Sequence, residues 1–194
     1  MTFPDRVQLP LAFDPDRLVA DLDRVCGSEW IAHFVKQNYE GVWDVLPLRA
    51  KAGATYPVMM IYSDPMATDF VDGPLLAETP YFRELLGAFE CPVRTVRLMR
   101  LRPGSRIKEH FDHDLAAEMG SARLHVPITT NPRVEFLLNR TPVTMAPGSA
   151  WYLRLSDPHA VTNRGETDRV HLVIDVAAND WLTAMLREGI TLAA

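Results

Sequence analysis

Four residues in the second half of this chain have the types and spacing for metal-centred chemistry. His110 and Asp112 stand in the stretch HFDHD, His159 follows Ser156-Asp157-Pro158, and Arg169 comes ten residues later. Side chains alternate between faces in an extended chain, so His110 and Asp112 are expected to aim an imidazole and a carboxylate at one point. With a second imidazole, that donor set holds non-haem Fe(II) and leaves coordination positions open. His159 is the candidate second imidazole, at the end of the strand WYLRL, from which a side chain can reach a cavity. Arg169 heads the apolar run VHLVIDV, and a guanidinium buried there needs a partner. Arginine grips carboxylates through two parallel hydrogen bonds. Each residue also has a plainer reading: a polar strand end for His110 and Asp112, a surface turn for His159, and pairing with Asp168 or Glu166 for Arg169.

The elements that must position these residues fall into a pattern. Residues 1–13, with little periodicity, read as a loop or short edge strand. Asp14-Pro15-Asp16 starts a helix carrying Leu18, Leu22 and Val25 at helical spacing. Residues 29–37 read as a second short helix, 41–48 as a strand, 49–57 as a loop, 58–62 as a short strand and 63–80 as a surface loop. Thr79-Pro80 starts a helix through Phe82, Leu85, Leu86 and Phe89. From Pro92 onward the chain reads as short strands separated by turns: 94–101, 107–112, 124–128, 134–138, 151–155, 160–162 and 170–176. Pro103-Gly104 and Pro147-Gly148 mark turns, and Asn139-Arg140 a hairpin tip before residues 141–144. Asn179-Asp180 caps a last helix with Trp181, Leu182, Met185 and Leu186 on one face. Many short strands with flanking helices predict a mainly β fold. A double-stranded β-helix, a cupin-like jelly roll, is the form that surrounds a cavity able to hold a metal. The expectation is one domain over 1–194, with the N-terminal helices packed on one sheet.

Composition narrows the function classes. A formal net charge of −5 and no run of Lys or Arg leave no electrostatic footprint for nucleic acid. Two distant cysteines, Cys26 and Cys91, read as reduced core residues rather than a disulfide framework or zinc pair. No apolar stretch has the length of a membrane span, and the start lacks the pattern of a secretory signal, so a cytoplasmic protein is expected.

Taken together, these motifs resemble the Fe(II)/2-oxoglutarate-dependent oxygenases, and more closely the aspartyl/asparaginyl β-hydroxylase family with its bacterial proline 3-hydroxylase relatives. The likeness is carried by Pro103-Gly104-Ser105-Arg106-Ile107 leading to His110, by Arg123-Leu124-His125 with Val126-Pro127, by Ser156 to His159, and by Arg169 to Val176. It covers roughly residues 93–182. Animal aspartyl hydroxylases lack the carboxylate ligand, so Asp112 points to the bacterial branch with a full triad. The proline hydroxylase relatives have a longer C-terminal region, which sets proline itself apart as an open question.

The resemblance implies a role for each residue. Fe(II) would sit on His110, Asp112 and His159, which would form the catalytic centre. Arg169 would hold the far carboxylate of 2-oxoglutarate, with Arg123 and His125 near its 1-carboxylate end, and O₂ would complete the reaction. Arg97 shares a strand face with Met99 and Leu101 and is the candidate for a substrate carboxylate; a solvated strand edge is the plainer alternative. Trp43 and Tyr62 are candidate pocket walls. His113 is expected to point outward, His171 to share the Arg169 face as a satisfied core histidine, and His33 to lie in an N-terminal helix. The implied activity is hydroxylation of an amino acid, free or peptidyl and Asp/Asn/Pro-like, giving succinate and CO₂. The alternative is a non-catalytic jelly-roll binding or sensor module.

Overall fold

In the computed structural model, residues 3–64 and 66–189 are described; the ends of the 1–194 range and residue 65 of the expected 63–80 loop lie outside them. The chain opens with β1 (Arg6–Ala12), α1 (Pro15–Val25), β2 (Ile31–Ala32), β3 (Tyr39–Glu40), β4 (Trp43–Lys51) and α2 (Pro57–Ile61). It continues with β5 (Phe70–Asp72), α3 (Pro74–Ala77), α4 (Pro80–Leu86), β6 (Val93–Leu101), β7 (Arg106–His110) and β8 (Ser121–Thr129). The last elements are β9 (Val134–Leu138), β10 (Thr141–Pro142), β11 (Ser149–Leu153), β12 (His159–Asn163), β13 (Arg169–Ala177) and α5 (Asp180–Glu188). The larger sheet runs β1-β11-β8-β13-β6-β4-β2, with β5 also on β4, and the smaller runs β10-β9-β12-β7-β3. Two antiparallel sheets enclosing a cavity form the jelly roll expected from the strand pattern.

The larger sheet is buried on both faces, and period-two alternation sorts its side chains. In β13, Val170, Leu172, Ile174 and Val176 join α1, α4 and α5 in one core through Leu18, Leu22, Phe82, Leu85, Leu182 and Leu186. The alternate residues Arg169, His171, Val173 and Asp175 turn to the other face, where a second core between the sheets holds Val173, Trp43, Met99, Ile107, Phe136 and Val161. That double burial explains why VHLVIDV reads as one unbroken apolar run.

Local chemistry sets the ends of the elements. Asp14 accepts hydrogen bonds from the backbone N–H of Asp16 and Arg17 and so caps α1. Asp21, buried on α1, accepts from the N–H of Tyr81 at 2.7 Å and Phe82 at 2.9 Å, so a side chain of α1 caps the start of α4. Asn139 and Arg140 both take positive φ, 51° and 61°, and close the expected β9–β10 hairpin with a two-residue turn. Gly148 sits at φ 79°, where a Cβ would collide with the carbonyl of Phe13.

The N-terminal half departs from the sequence expectation. Residues 31 and 32 form β2 on the edge of β4, with His33 N–H donating to Trp43 O at 2.9 Å, and a 3₁₀ turn follows at Lys36–Asn38. The open edge of β4 takes the backbone donors that a helix would have used. The expected strand at 58–62 is helical as α2, started by Pro57 and closed by Met60 N–H to Tyr56 O. Its short apolar run has no distinguishing period. The expected 63–80 loop contains β5, paired with residues 49–51 of β4, and α3. Cys26 is exposed rather than in the core, whereas Cys91 is buried. Among the described residues no helix is long and apolar enough to cross a membrane.

Leu172 is fully buried at the centre of β13, between β6 and β8. Leu172→Ala is expected to cost about 2–5 kcal/mol, the range for leucine truncations that leave a cavity. Urea unfolding followed by circular dichroism checks it.

Candidate active site

Strand register builds the site. β7 and β12 pair antiparallel with His110 directly opposite His159, and the two rings lie 4.3 Å apart at 50°. Asp112 stands beyond the end of β7, where its N–H donates to Leu155 O at 2.8 Å. The expected strand over 107–112 therefore stops at His110, and a loop contact to the chain after β11 carries the carboxylate in. One donor atom from each of His110, Asp112 and His159 lies within 4.8 Å of the other two.

The bonds behind these side chains orient them. His110 Nδ1 donates to Lys108 O at 2.8 Å, and His159 Nδ1 to Asp157 O at 3.0 Å. Each Nε2 is thereby left with its lone pair facing the cluster, the usual arrangement behind a metal-binding imidazole. Burial, then the neighbouring His110, pushes His159 down to about 4, so its ring is neutral near pH 7. Asp112 Oδ1 is 4.0 Å from His110 Nε2, while its Oδ2 accepts from Arg123 Nη1 at 2.8 Å. Two imidazoles and a monodentate carboxylate fit Fe(II) with one side open.

The other candidates lie on the inner face of the larger sheet, Arg97 and Arg123 at a cavity and His125 and Arg169 outside its lining residues. A cavity of about 320 Å³ is lined by His110, Asp112, Trp43, Arg97 and Arg123, with Asp175 in its wall. Arg97 faces inward with Met99 and Leu101 but is not free: it donates to Ile61 O at 2.8 Å and Ser63 Oγ at 2.9 Å, and pairs with Asp175. Arg123 holds Asp175 Oδ1 at 2.7 Å as well as Asp112. Burial works against the charge on Asp175, but Arg123 and Arg97 outweigh it and hold the carboxyl below its usual range.

Arg169 is 3 % exposed and has no carboxylate partner among the described residues. Asp168, one of its plainer partners, lies instead 4.0 Å from Arg100. Burial alone pulls Arg169 down to about 9. Its Nη2 donates to His171 Nδ1 at 2.9 Å, and His171 stands 3.4 Å from His125 Nδ1. Phe136 joins this group to the cluster, its ring centre 6.3 Å from that of His159, 6.2 Å from that of His125 and 5.9 Å from the Arg169 guanidinium.

Four buried polar atoms have no hydrogen-bond partner among the described residues: Arg97 Nε, His125 Nε2, Arg169 Nε and Trp43 Nε1. Unsatisfied buried polar groups are uncommon. All four belong to residues of this one region.

Of the remaining histidines, His113 is exposed, set edge-on to Phe111. His33 is not helical; it stacks on Trp43 at 3.6 Å in the cavity wall, and burial pushes it down to about 3. Asp175, Phe136, Ser63 and the pocket position of His33 are not among the site residues that the sequence predicts. Parity with Arg169 along β13 was available for Asp175; Ser63, in an irregular segment, carried no signal.

Comparison with known proteins supplies the family and the fold. A profile of the family described as Aspartyl/Asparaginyl beta-hydroxylase matches residues 16–179. The chain belongs to the aspartyl/asparaginyl beta-hydroxylase family. The chain is similar to the L-proline cis-4-hydroxylase of Rhizobium meliloti (strain 1021), 28 % identical over 177 residues. That alignment takes in 90 % of this chain and 61 % of the relative, so the chain spans about three fifths of the relative's length. Among solved structures, a 2OG-Fe(II) oxygenase family oxidoreductase from Burkholderia pseudomallei shares the fold with a TM-score of 0.57 and 17 % identity, over 91 % of this chain and 86 % of that one. HygX from Streptomyces hygroscopicus, solved with nickel and 2-oxoglutarate bound, shares it with a TM-score of 0.55 and 9 % identity, over 91 % and 84 %. Family membership thus extends the likeness from residues 93–182 to most of the chain.

The buried imidazoles make stability pH-dependent. Burial holds His125 and His171 well below their ordinary value of 6.5, so the folded state keeps them neutral while the unfolded chain takes up protons below that pH. The unfolded state then binds more protons, and stability falls as pH drops, by up to roughly 1.4 kcal/mol per pH unit for each imidazole that stays neutral. A lower melting temperature at pH 5.5 than at pH 7.5 is expected in scanning calorimetry; a flat profile would contradict it.

Proposed function

We propose that this protein is an Fe(II)/2-oxoglutarate-dependent hydroxylase acting on an amino acid, free or within a peptide. Substrate, 2-oxoglutarate and O₂ would give hydroxylated substrate, succinate and CO₂. The observation that carries this reading is the pairing of the His110, Asp112 and His159 cluster with a buried Arg169 that lacks a carboxylate partner. A metal site alone would suit many chemistries. A buried guanidinium whose own Nε is unpaired suits an acidic co-substrate.

In this reading His110 and His159 would hold the metal through Nε2 and Asp112 through a carboxylate oxygen. When bound, Fe(II) with 2-oxoglutarate and O₂ supplies the oxidising power to convert an unactivated C–H into C–OH. Arg169 holds the distal carboxylate of 2-oxoglutarate. His125, whose Nε2 is unpaired, and Arg123 stand toward the 1-carboxylate end. His171 stiffens the arrangement by accepting from Arg169.

Arg97 is assigned to a carboxylate of the substrate. Once Asp112 serves the metal, Arg97 and Arg123 share Asp175 as their one buried counter-charge, so the wall carries a surplus positive charge facing the cavity. An anionic group on the substrate would balance it. Trp43, stacked on His33, and Tyr62 form the adjoining wall. The name of the Rhizobium relative and the family description both fit an amino-acid substrate.

Succinate formation from 2-oxoglutarate with Fe(II), screened across the free amino acids, tests the activity. Stimulated turnover in the wild type and its loss in His159→Ala are expected. Equal turnover in both would remove the reading, and metal-independent or absent 2-oxoglutarate binding in a titration would support a binding module instead. For the clamp, Arg169→Leu is expected to raise the KM for 2-oxoglutarate by about tenfold or more, because it removes charge-assisted bonds worth about 1.5–3 kcal/mol.

A further inference from the structure

Asp175 touches none of the three clustered donors, yet the bonds that aim one of them run through it. Its side chain is 6 % exposed on β13 and receives Arg123, Arg97, Thr95 and Ser63. Arg123 spans the gap from this anchor to the cluster: its Nε donates to Asp175 Oδ1 at 2.7 Å and its Nη1 to Asp112 Oδ2 at 2.8 Å. The planar guanidinium is rigid, so fixing the Nε edge fixes the direction of Nη1. Asp112 lies past the end of β7 on a loop, where its backbone bond to Leu155 does not set the carboxylate's rotation. The grip on Oδ2 is what turns Oδ1 toward His110 Nε2, 4.0 Å away.

We propose that Asp175 is a positioning residue for the metal centre, acting through Arg123 to present Asp112 Oδ1 as a single-oxygen ligand. This rests on the reading of His110, Asp112 and His159 as metal ligands. Asp175 also divides the labour between two guanidiniums. Without its charge, Arg97 and Arg123 would both be left buried with Asp112 as the nearest remaining carboxylate in their electrostatic environment. That carboxylate would be drawn toward the arginines and away from the metal.

The test is Mn²⁺ affinity of the full chain, stripped of metal and titrated calorimetrically well below the melting temperature, without co-substrate. Asp175→Asn is expected to weaken Mn²⁺ binding by about 10- to 100-fold, the range for partners that orient metal ligands. A role confined to fold stability would lower the melting temperature and leave the affinity of the folded chain unchanged. If Asp175→Asn does not fold, the double variant Arg97→Met/Asp175→Leu removes both members of the buried pair, which is less disruptive than stranding one. It leaves no side-chain acceptor at position 175 for Arg123 Nε, so the same weakening is expected. Affinity within about twofold of wild type in either folded variant overturns the proposal. His110→Ala separates the two levels: loss of Mn²⁺ binding there with no change in the Asp175 variants sinks the positioning role alone, whereas no loss in His110→Ala sinks the metal site and the positioning role with it.

Discussion

The antiparallel pairing of β7 with β12 is the constraint on which the site depends. It places His110 and His159 as direct cross-strand partners, 49 positions apart in the chain, with their rings in contact. Side chains on neighbouring strands alternate with period two, so a one-residue slip would send one imidazole to the opposite face. Val161 lies opposite Ile107, both buried in the core between the sheets, and the register shifts by one residue between that pair and the histidines, so that His110 rather than Glu109 faces His159. β9 pairs with β12 on its other side. The geometry of the donor set thus depends on a local irregularity in the strand pair as well as on apolar packing.

The larger sheet supplies a second layer of chemistry by the same alternation. Its outer face is apolar and covered by helices, and its inner face carries Arg97, Arg123, His125, Arg169, His171 and Asp175. So many ionisable groups in one interior are costly to desolvate, and they persist only where they pair or serve a ligand. The arrangement divides accordingly. Arg97 and Arg123 share Asp175 at one end, two guanidiniums to one buried carboxylate, while Arg169 and the two histidines at the other form a chain of hydrogen bonds with no carboxylate in it. The first group is anchored but carries more positive than negative charge, and the second has no counter-charge of its own. The Phe136 ring reaches both the second group and the cluster, touching His125 and Arg169 on one hand and His159 on the other.

What was legible in the sequence was local in origin. The caps of α1 and α5, the hairpin turn at Asn139-Arg140 and the alternation of β6, β8 and β13 all follow from interactions within a few residues. The same alternation put Arg97 with Met99, Arg123 with His125 and Arg169 with His171 on shared faces. Misreadings arose where the partner was distant. Residues 31–32 joined β4 because that strand had an open edge, and 70–72 joined it further along, at residues 49–51. His33 became a cavity residue because Trp43 lay beneath it.

By itself the sequence determined the donor types, the strand and turn pattern of the second half, and therefore a jelly roll with the means to bind a metal. Tertiary structure decided which strands became neighbours and in what register, and so that His159 meets His110, that Asp112 arrives from a loop rather than from the strand, and that Asp175 rather than solvent answers Arg97 and Arg123. The physical reason is one of range. Periodicity, capping and turn chemistry act over a few residues and are written in the local order of the chain. Cross-strand pairing and buried charge balance are settled between segments tens of residues apart, by which packing leaves the fewest polar groups unpaired.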